Sequence, residues 1–382
     1  MKKNKIFSVM LLLAASAFSF TSCEESDGQS IEELTGIPAD SEATAAPLVL
    51  PEEKNTSIPN ISAPTREGSS DVAVFSLTGI RTPNNDWMKL YGTNSAGQNI
   101  WMEIDGVPKS IDIVNPEDLS NDASKAKADV VFLVDNSGSM SEEADSVASK
   151  IIYWSGILSQ AMDVKFGCVG IDHRYVNGAL NITDVDSLHA YLTRAYHTGT
   201  SRTVGFGGND ADALYSSANQ YSNAGGECGG IMLRFADENF AWREGSNRIY
   251  VYFTDEPNQT NYENNYSVES VNPESDIYNW NAIKGTIHTV YSGGSYSYSG
   301  QKEKPWLFSE YTGGTVLYAT SDFRGFTLES LPVTGAITNS CQVRFHITQD
   351  LSSGTHTITI TIVSDDGTVK AYKEFTGVEF NF

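Results

Sequence analysis

Basic residues are scarce in this chain. Its 382 residues hold 25 Lys and Arg against 48 Asp and Glu, a formal net charge of -23. A field of that sign repels nucleic acid and anionic membrane surfaces, so neither is expected as a partner. Histidine is scarcer still, at six residues, and His173, His189, His197 and His288 show none of the spacing of a metalloprotease. There is no Gly-x-Ser-x-Gly nucleophile turn, and Gly205-Phe206-Gly207-Gly208 lacks the Lys of a phosphate-binding loop. With no catalytic constellation in view, the chain is expected not to be an enzyme. Cysteine is also sparse, with four residues. If Cys23 is set apart, Cys168, Cys228 and Cys341 allow at most one disulfide, which excludes a disulfide-stapled scaffold.

Apolar residues are present in ordinary measure, at 40 %, with 11 % aromatic, which is too rich for a mostly disordered chain. The length exceeds one ordinary domain and predicts two folded units with tails. Lys2, Lys3 and Lys5 precede an apolar run from Ile6 to Phe20, the pattern of an export signal and too short for a spanning helix. The residues after it, Phe20-Thr21-Ser22-Cys23, resemble the lipobox of bacterial lipoproteins, with Phe where Leu is usual. The resemblance implies removal of residues 1–22 and acylation of Cys23. Loss of the three signal lysines would leave 22 basic and 48 acidic residues, a net charge of -26. Glu24, Glu25 and Asp27 follow at once and look like the surface-export tag of Bacteroidetes-like lipoproteins. The expected setting is therefore the bacterial outer membrane, with the chain lipid-anchored and exposed on the cell surface.

Residues 23–68 are rich in Ser, Glu, Pro, Thr and Ala without periodicity and read as a flexible tether. Residues 69–127 contain short β-type runs, Val72 to Leu77 and Asn99 to Ile104, separated by turn signals such as Pro83-Asn84-Asn85. From 128 to 331, strand and helix patterns alternate. Buried strands are expected at Val130–Val134, Phe166–Ile171, Arg248–Phe253, Thr286–Tyr291 and Gly314–Tyr318. Helices are expected over Ser141–Ala161, near Asp186–Arg194 and Asp210–Tyr221, and around Phe323–Leu331. Wholly apolar strands separated by helices predict an α/β unit, a mostly parallel sheet covered on both faces. Residues 332–382 return to strict alternation, as in Thr357 to Ile362, with the turn Asp365-Asp366-Gly367. A lone hairpin is only marginally stable, so these strands should join those before residue 115 in one antiparallel β-sandwich, with the α/β unit inserted between its halves.

The first buried strand runs into Asp135-Asn136-Ser137-Gly138-Ser139. Ligands of open α/β sheets bind outside the carboxyl ends of strands, and Asp, Ser and Ser at alternate positions of a tight turn can aim three oxygens at one point. Hard cations such as Mg²⁺ take about six oxygen ligands. This D-x-S-x-S is similar to the metal-ion-dependent adhesion site of von Willebrand factor A (VWA) domains, which implies a Rossmann-like VWA fold for 128–331. The third buried strand ends in Thr254-Asp255-Glu256, which looks like the family's second acidic loop with Glu256 where Gly is usual. The resemblance implies a metal set of Asp135, Ser137, Ser139 and Asp255, holding Mg²⁺ or Mn²⁺. The family's remaining ligand is a Thr before the third helix. Here Gly207-Gly208-Asn209-Asp210-Ala211 departs from that pattern, and either Asp210, which is preferred, or Thr203 would take its place.

In the family, the metal keeps a position open for an Asp or Glu of the partner. The resemblance therefore implies a surface receptor or adhesin for a protein or glycan ligand that offers an acidic group. The alternative is a structural or accessory tip subunit of a surface filament or complex. Segments from Gln259 to Asn281 and from Ser292 to Lys304 are dense in Tyr, Asn, Ser and Gly, including Tyr262, Tyr266, Tyr278, Trp280, Tyr296 and Tyr298. Such a composition suits either a binding loop or a polar surface loop.

Overall fold

The structure is a computed structural model that describes residues 31–119, 126–141, 143–172, 175–193, 206–209, 212–218, 220–221, 227–258, 284–293 and 304–382. The signal, Cys23, Thr203, Asp210 and most of the two Tyr-rich segments lie outside them.

Parallel β6 (Lys127–Asp135), β10 (Ser246–Thr254), β11 (Thr286–Tyr291) and β12 (Val316–Tyr318) form the α/β sheet with β7 (Asp163–Asp172), β8 (Tyr175–Thr183) and the two-residue β9 (Gly208–Asn209). The spatial order is β12-β11-β10-β6-β7-β8-β9, parallel throughout except that β8 runs against β7. The apolar strands alternate their side chains between two covered faces. Val130, Phe132 and Val134 of β6 pack with Val147, Ile151 and Trp154 of α2 (Ala144–Ala161) and with Leu188 of α3 (Val185–Thr193). Val131 and Leu133 pack on the opposite face with Ile231, Met232 and Phe235 of α5 (Gly229–Asn239) and Leu214 of α4 (Asp212–Ala218). Phe308 of α6 (Leu307–Thr312) closes that second core. Each large apolar side chain buried in this way contributes roughly 1.5–3 kcal/mol.

The remaining strands build the sandwich. One sheet has the order β1 (Thr65–Arg66), β2 (Val72–Leu77), β13 (Cys341–His346), β5 (Asp112–Val114). The other has β15 (Lys370–Asn381), β14 (Ser353–Val363), β3 (Ile100–Ile104), β4 (Val107–Lys109). Every pairing described within them is antiparallel, and both sheets mix strands from before residue 115 with strands from after 340. Phe75, Val343 and Phe345 of one face Met102, Ile358 and Ile360 of the other in a single core. The α/β unit is therefore an insertion in a discontinuous sandwich. The sandwich meets the amino end of the α/β sheet, where Asn247 Nδ2 donates to Ser76 Oγ at 3.0 Å and the Gly79 N–H donates to Ala336 O at 2.8 Å.

Four expectations need correction. After the short α1 (Ile31–Thr35), residues 37–66 are not a free tether. Ile37, Ile58 and Ile61 are buried, Asp40 pairs with Lys109 at 3.0 Å, and Ser62 joins β2 through the Ser76 carbonyl, so isolated apolar residues dock one at a time. The helix expected around Phe323–Leu331 is replaced by one turn of 3₁₀ helix at Leu328–Ser330 and by α7 (Val333–Thr338). Phe323 has φ +50, a left-handed conformation that ends a helix, while its ring stays buried. Because Val333 and Ile337 belong to the α/β core, the boundary at 331/332 moves to the start of β13. The helix expected over Ser141–Ala161 begins at Ala144, after a 3₁₀ turn at Ser139–Ser141.

β8 and α5 were not predicted. Cys168, Cys228 and Cys341 are buried thiols, none of them in a disulfide. Among the described residues no helix is long and apolar enough to cross a membrane.

Candidate metal site

The chain order of the sheet, with β9 left aside, is third, second, first, then fourth onward, the doubly wound order. Connections leave β6 toward one edge and β10 toward the other, so a crevice opens between the carboxyl ends of these two neighbours. Asp135 is the last residue of β6, and Asp255 directly follows β10. The register sets Val134 opposite Phe253, which brings the two acidic loops side by side.

A chain of hydrogen bonds joins the four sequence-predicted residues. The Ser137 N–H donates to Asp135 Oδ1 at 3.0 Å, closing the turn. The hydroxyls of Ser137 and Ser139 lie 3.0 Å apart, and Ser139 Oγ donates to Asp255 Oδ1 at 3.1 Å. Thr254 Oγ1 lies 3.1 Å from both Asp135 Oδ2 and the Glu256 carbonyl, and it accepts the Glu256 N–H at 3.1 Å. Thr254 thus ties the two loops together, a role not foreseen from the sequence. Asn136 anchors the turn to the next strand through its N–H, which donates to Ile171 O at 2.8 Å.

The electrostatics are unbalanced. Burial pushes the Asp135 carboxyl up to about 8, against the pull of the Ser137 N–H, and the charges of Glu227 and Asp255 raise it further. Burial likewise raises Asp255, with Glu227 adding to it after the opposing hydrogen bonds. Glu227, buried just ahead of α5, is a member of this acidic group that sequence reasoning missed. Its only signal was an acidic residue in the Gly-rich run Gly225-Gly226-Glu227-Cys228-Gly229-Gly230.

The donor set suits a hard divalent cation. Among the described residues, the side-chain atoms that Asp135, Ser137, Ser139, Thr254 and Asp255 bring together are all oxygens, and two buried or half-buried carboxylates repel one another unless positive charge joins them. At metal–oxygen distances of 2.0–2.1 Å, adjacent octahedral ligands stand about 2.8–3.0 Å apart, close to the 3.0 and 3.1 Å separations along Ser137, Ser139 and Asp255. Among the described residues no three His, Cys, Asp or Glu side chains are grouped to hold a metal ion, so a cation held here would draw on the serine hydroxyls as well as the carboxylates. Asp210 and Thr203, the two candidates for the remaining ligand, lie outside the described residues.

No protein-family model matches the sequence, and no curated protein is similar to it. Among solved structures, the chain is similar to the ArnB paralog VWA2 from Sulfolobus acidocaldarius, with 8 % identity and a TM-score of 0.28, over 81 % of this chain and 76 % of that one. It is also similar to the human COPII-coat protein Sec24c, with 8 % identity and a TM-score of 0.35, over 89 % of this chain and 61 % of that one. The fold rests on the chain's own strand order and on its reversal between β6 and β10, and by these the α/β unit is Rossmann-like.

Proposed function

We propose that this chain is a lipid-anchored bacterial surface protein that grips an acidic group of a protein or glycan ligand through a divalent cation. The observation that carries the reading is the convergence of oxygens from two neighbouring strand ends, Asp135, Ser137 and Ser139 on one and Asp255 on the other. These residues would hold Mg²⁺ or Mn²⁺, which supplies a Lewis-acid position for a partner carboxylate. The protein's own part is to fix the oxygens. The Ser137 N–H and the Thr254 hydroxyl orient Asp135, and Ser139 bridges to Asp255. The sandwich at the amino end of the sheet also supports it. β6 has nine residues, so the crevice is raised roughly 26 Å above the base at about 3.3 Å per residue.

The test is thermal unfolding of the full chain with Mg²⁺ or Mn²⁺, in wild type and in Asp135→Asn. The amide can still accept the Ser137 N–H and can donate to Thr254, so the fold should hold. A ligand that binds only the native state stabilises it by about 2.7 kcal/mol at 100 times its Kd. Wild type is expected to gain stability on adding metal and to lose the gain on chelation, and Asp135→Asn to gain none. A wild type indifferent to both metals, or an equal gain in the variant, would overturn the reading.

A further inference from the structure

A cavity of about 720 Å³ opens on the flank of the α/β unit, between α2 and the segment 322–329. Asp145, Ser149 and Tyr153 stand four residues apart on α2, so they share one face of the helix and form a ridge about 12 Å long. All three are exposed. Asp322, Arg324 and Glu329 make the other wall. Hydrogen bonds fasten that wall to the helix. Ser146 Oγ donates to the Phe323 carbonyl at 3.2 Å, and Lys150 Nζ donates to the Phe326 carbonyl at 2.9 Å. The rings of Phe323 and Phe326 are buried and meet edge to face at 6.3 Å. Phe323 takes φ +50, and a left-handed conformation in a bulky residue costs about 1–3 kcal/mol. Strain of this kind collects at ligand clamps. Here it leaves the neighbouring Asp322 and Arg324 on the cavity wall while the ring between them enters the core.

The chemistry of the walls narrows the occupant. Three carboxylates, Asp145, Asp322 and Glu329, stand with two cations, Lys150 and Arg324, among hydroxyls such as Ser149. A phosphate or a nucleic-acid strand needs an excess of cations, and a lipid or an apolar peptide needs a continuous apolar patch. Neither is present. Of the lining residues only Tyr153 exposes a large apolar side chain, at 63 %, because Leu328 is fully buried. One accessible ring among carboxylates, cations and hydroxyls suits a neutral polyhydroxy compound. The ring offers its face to the C–H side of a pyranose, carboxylates accept from sugar hydroxyls, and a guanidinium donates to them. The volume falls within the range of about 300–1,000 Å³ typical of small-molecule sites. We propose that this cavity binds a short neutral oligosaccharide, with Tyr153 as the stacking platform and Glu329 and Arg324 as the hydroxyl-binding groups. Both of the latter are within reach. Glu329 is exposed, and Arg324 meets Asp322 through Nε at 3.1 Å while its side chain stays 79 % exposed. The site does not depend on the metal crevice, since none of Asp135, Ser137, Ser139 and Asp255 lines it.

The experiment is calorimetric titration of the full chain, with chelator present throughout so that the metal crevice takes no part. The probes are maltotriose, cellotriose and N-acetylated chitotriose, with trigalacturonate as the charged control and tetra-alanine as the peptide control. At least one neutral trisaccharide is expected to bind saturably with a Kd below about 10 mM, and more tightly than either control. Tyr153→Ala and Glu329→Ala change exposed side chains, so both should keep the thermal midpoint of wild type. Each should weaken the trisaccharide at least about fivefold. The proposal is overturned if none of the three sugars binds, or if either variant keeps the affinity of wild type. Equal or tighter binding of trigalacturonate or of tetra-alanine also overturns it, and the latter gives the cavity to peptides.

Discussion

His288 offers a quantitative check on how the two units meet. It lies on β11 with 4 % exposure, and burial alone depresses its pKa from 6.5 to about 4. Its Nδ1 accepts the Thr315 N–H at 3.0 Å, so the neutral ring carries its hydrogen on Nε2. The unfolded chain takes up this proton near pH 6.5, and the folded protein resists until about pH 4. Stability is therefore full above pH 6.5 and is lost as pH falls toward 4. Linkage gives a loss of about 1.8 kcal/mol between pH 7 and pH 5, approaching about 3.4 kcal/mol below pH 4. The assay is urea unfolding at both pH values, comparing wild type with His288→Asn, whose amide oxygen can still accept the Thr315 N–H but does not titrate. Wild type should lose about 1.8 kcal/mol more than the variant. Equal losses would refute the argument, because the imidazole would then be free to take its proton in the folded state.

Three further outcomes are expected. Asp129 is fully buried and held by Arg243 Nε at 2.6 Å, by the Arg243 N–H at 2.8 Å and by Ser246 Oγ at 2.8 Å. Arg243→Ala leaves that carboxylate buried without its cation and should cost about 3–5 kcal/mol in denaturant unfolding. At Gly229, a Cβ would lie 2.3 Å from the Tyr252 ring, so Gly229→Ala should destabilise by about 1–3 kcal/mol, read from the thermal midpoint. Cys23→Ala should abolish incorporation of labelled fatty acid and release the chain into the soluble fraction, whereas equal labelling of variant and wild type would remove the anchor from the proposed function.

Much of the α/β unit was legible because its central strands are buried on both faces. A continuous buried run such as Val130 to Val134 or Ile249 to Phe253 has few other solutions, and an acidic loop at its carboxyl end then stands out. The hairpin of β14 and β15 was equally open to reading, since Thr357 to Ile362 alternates and Gly367 takes the left-handed φ of +68 that the turn requires. β8 was hidden because Asn177, Gly178 and Asn181 interrupt its pattern. Gly178 is there for close packing, as a Cβ would lie 2.3 Å from the Phe206 carbonyl oxygen. α5 was hidden for a related reason. It opens on Gly229 and Gly230, poor helix formers, the first of which the Tyr252 ring demands. In both elements, tertiary crowding overrode local propensity. Glu227 escaped notice because what makes it part of the site is proximity to Asp135 and Asp255 across the fold, which no local spacing encodes.

The architecture divides labour along the strands. The amino ends of β6 and β10 are pinned by groups that must be satisfied in burial: Asp129 with Arg243, and Asn247 with Ser76 of the sandwich. The carboxyl ends carry the reverse arrangement, with the charges of Glu227 and Asp255 raising the buried Asp135 carboxyl and that of Glu227 raising Asp255, in a crevice between two diverging connections. Such repulsion is tolerated where rigid backbone holds it, and here eight residue pairs of parallel register lock β6 to β10 below the site. A substitution at the base should therefore move global stability, whereas one at the crevice should move the response to metal. That separation is itself a physical claim. If Arg243→Ala and Asp135→Asn changed metal-dependent stabilisation alike, β6 and β10 would not be the rigid members that the register makes them.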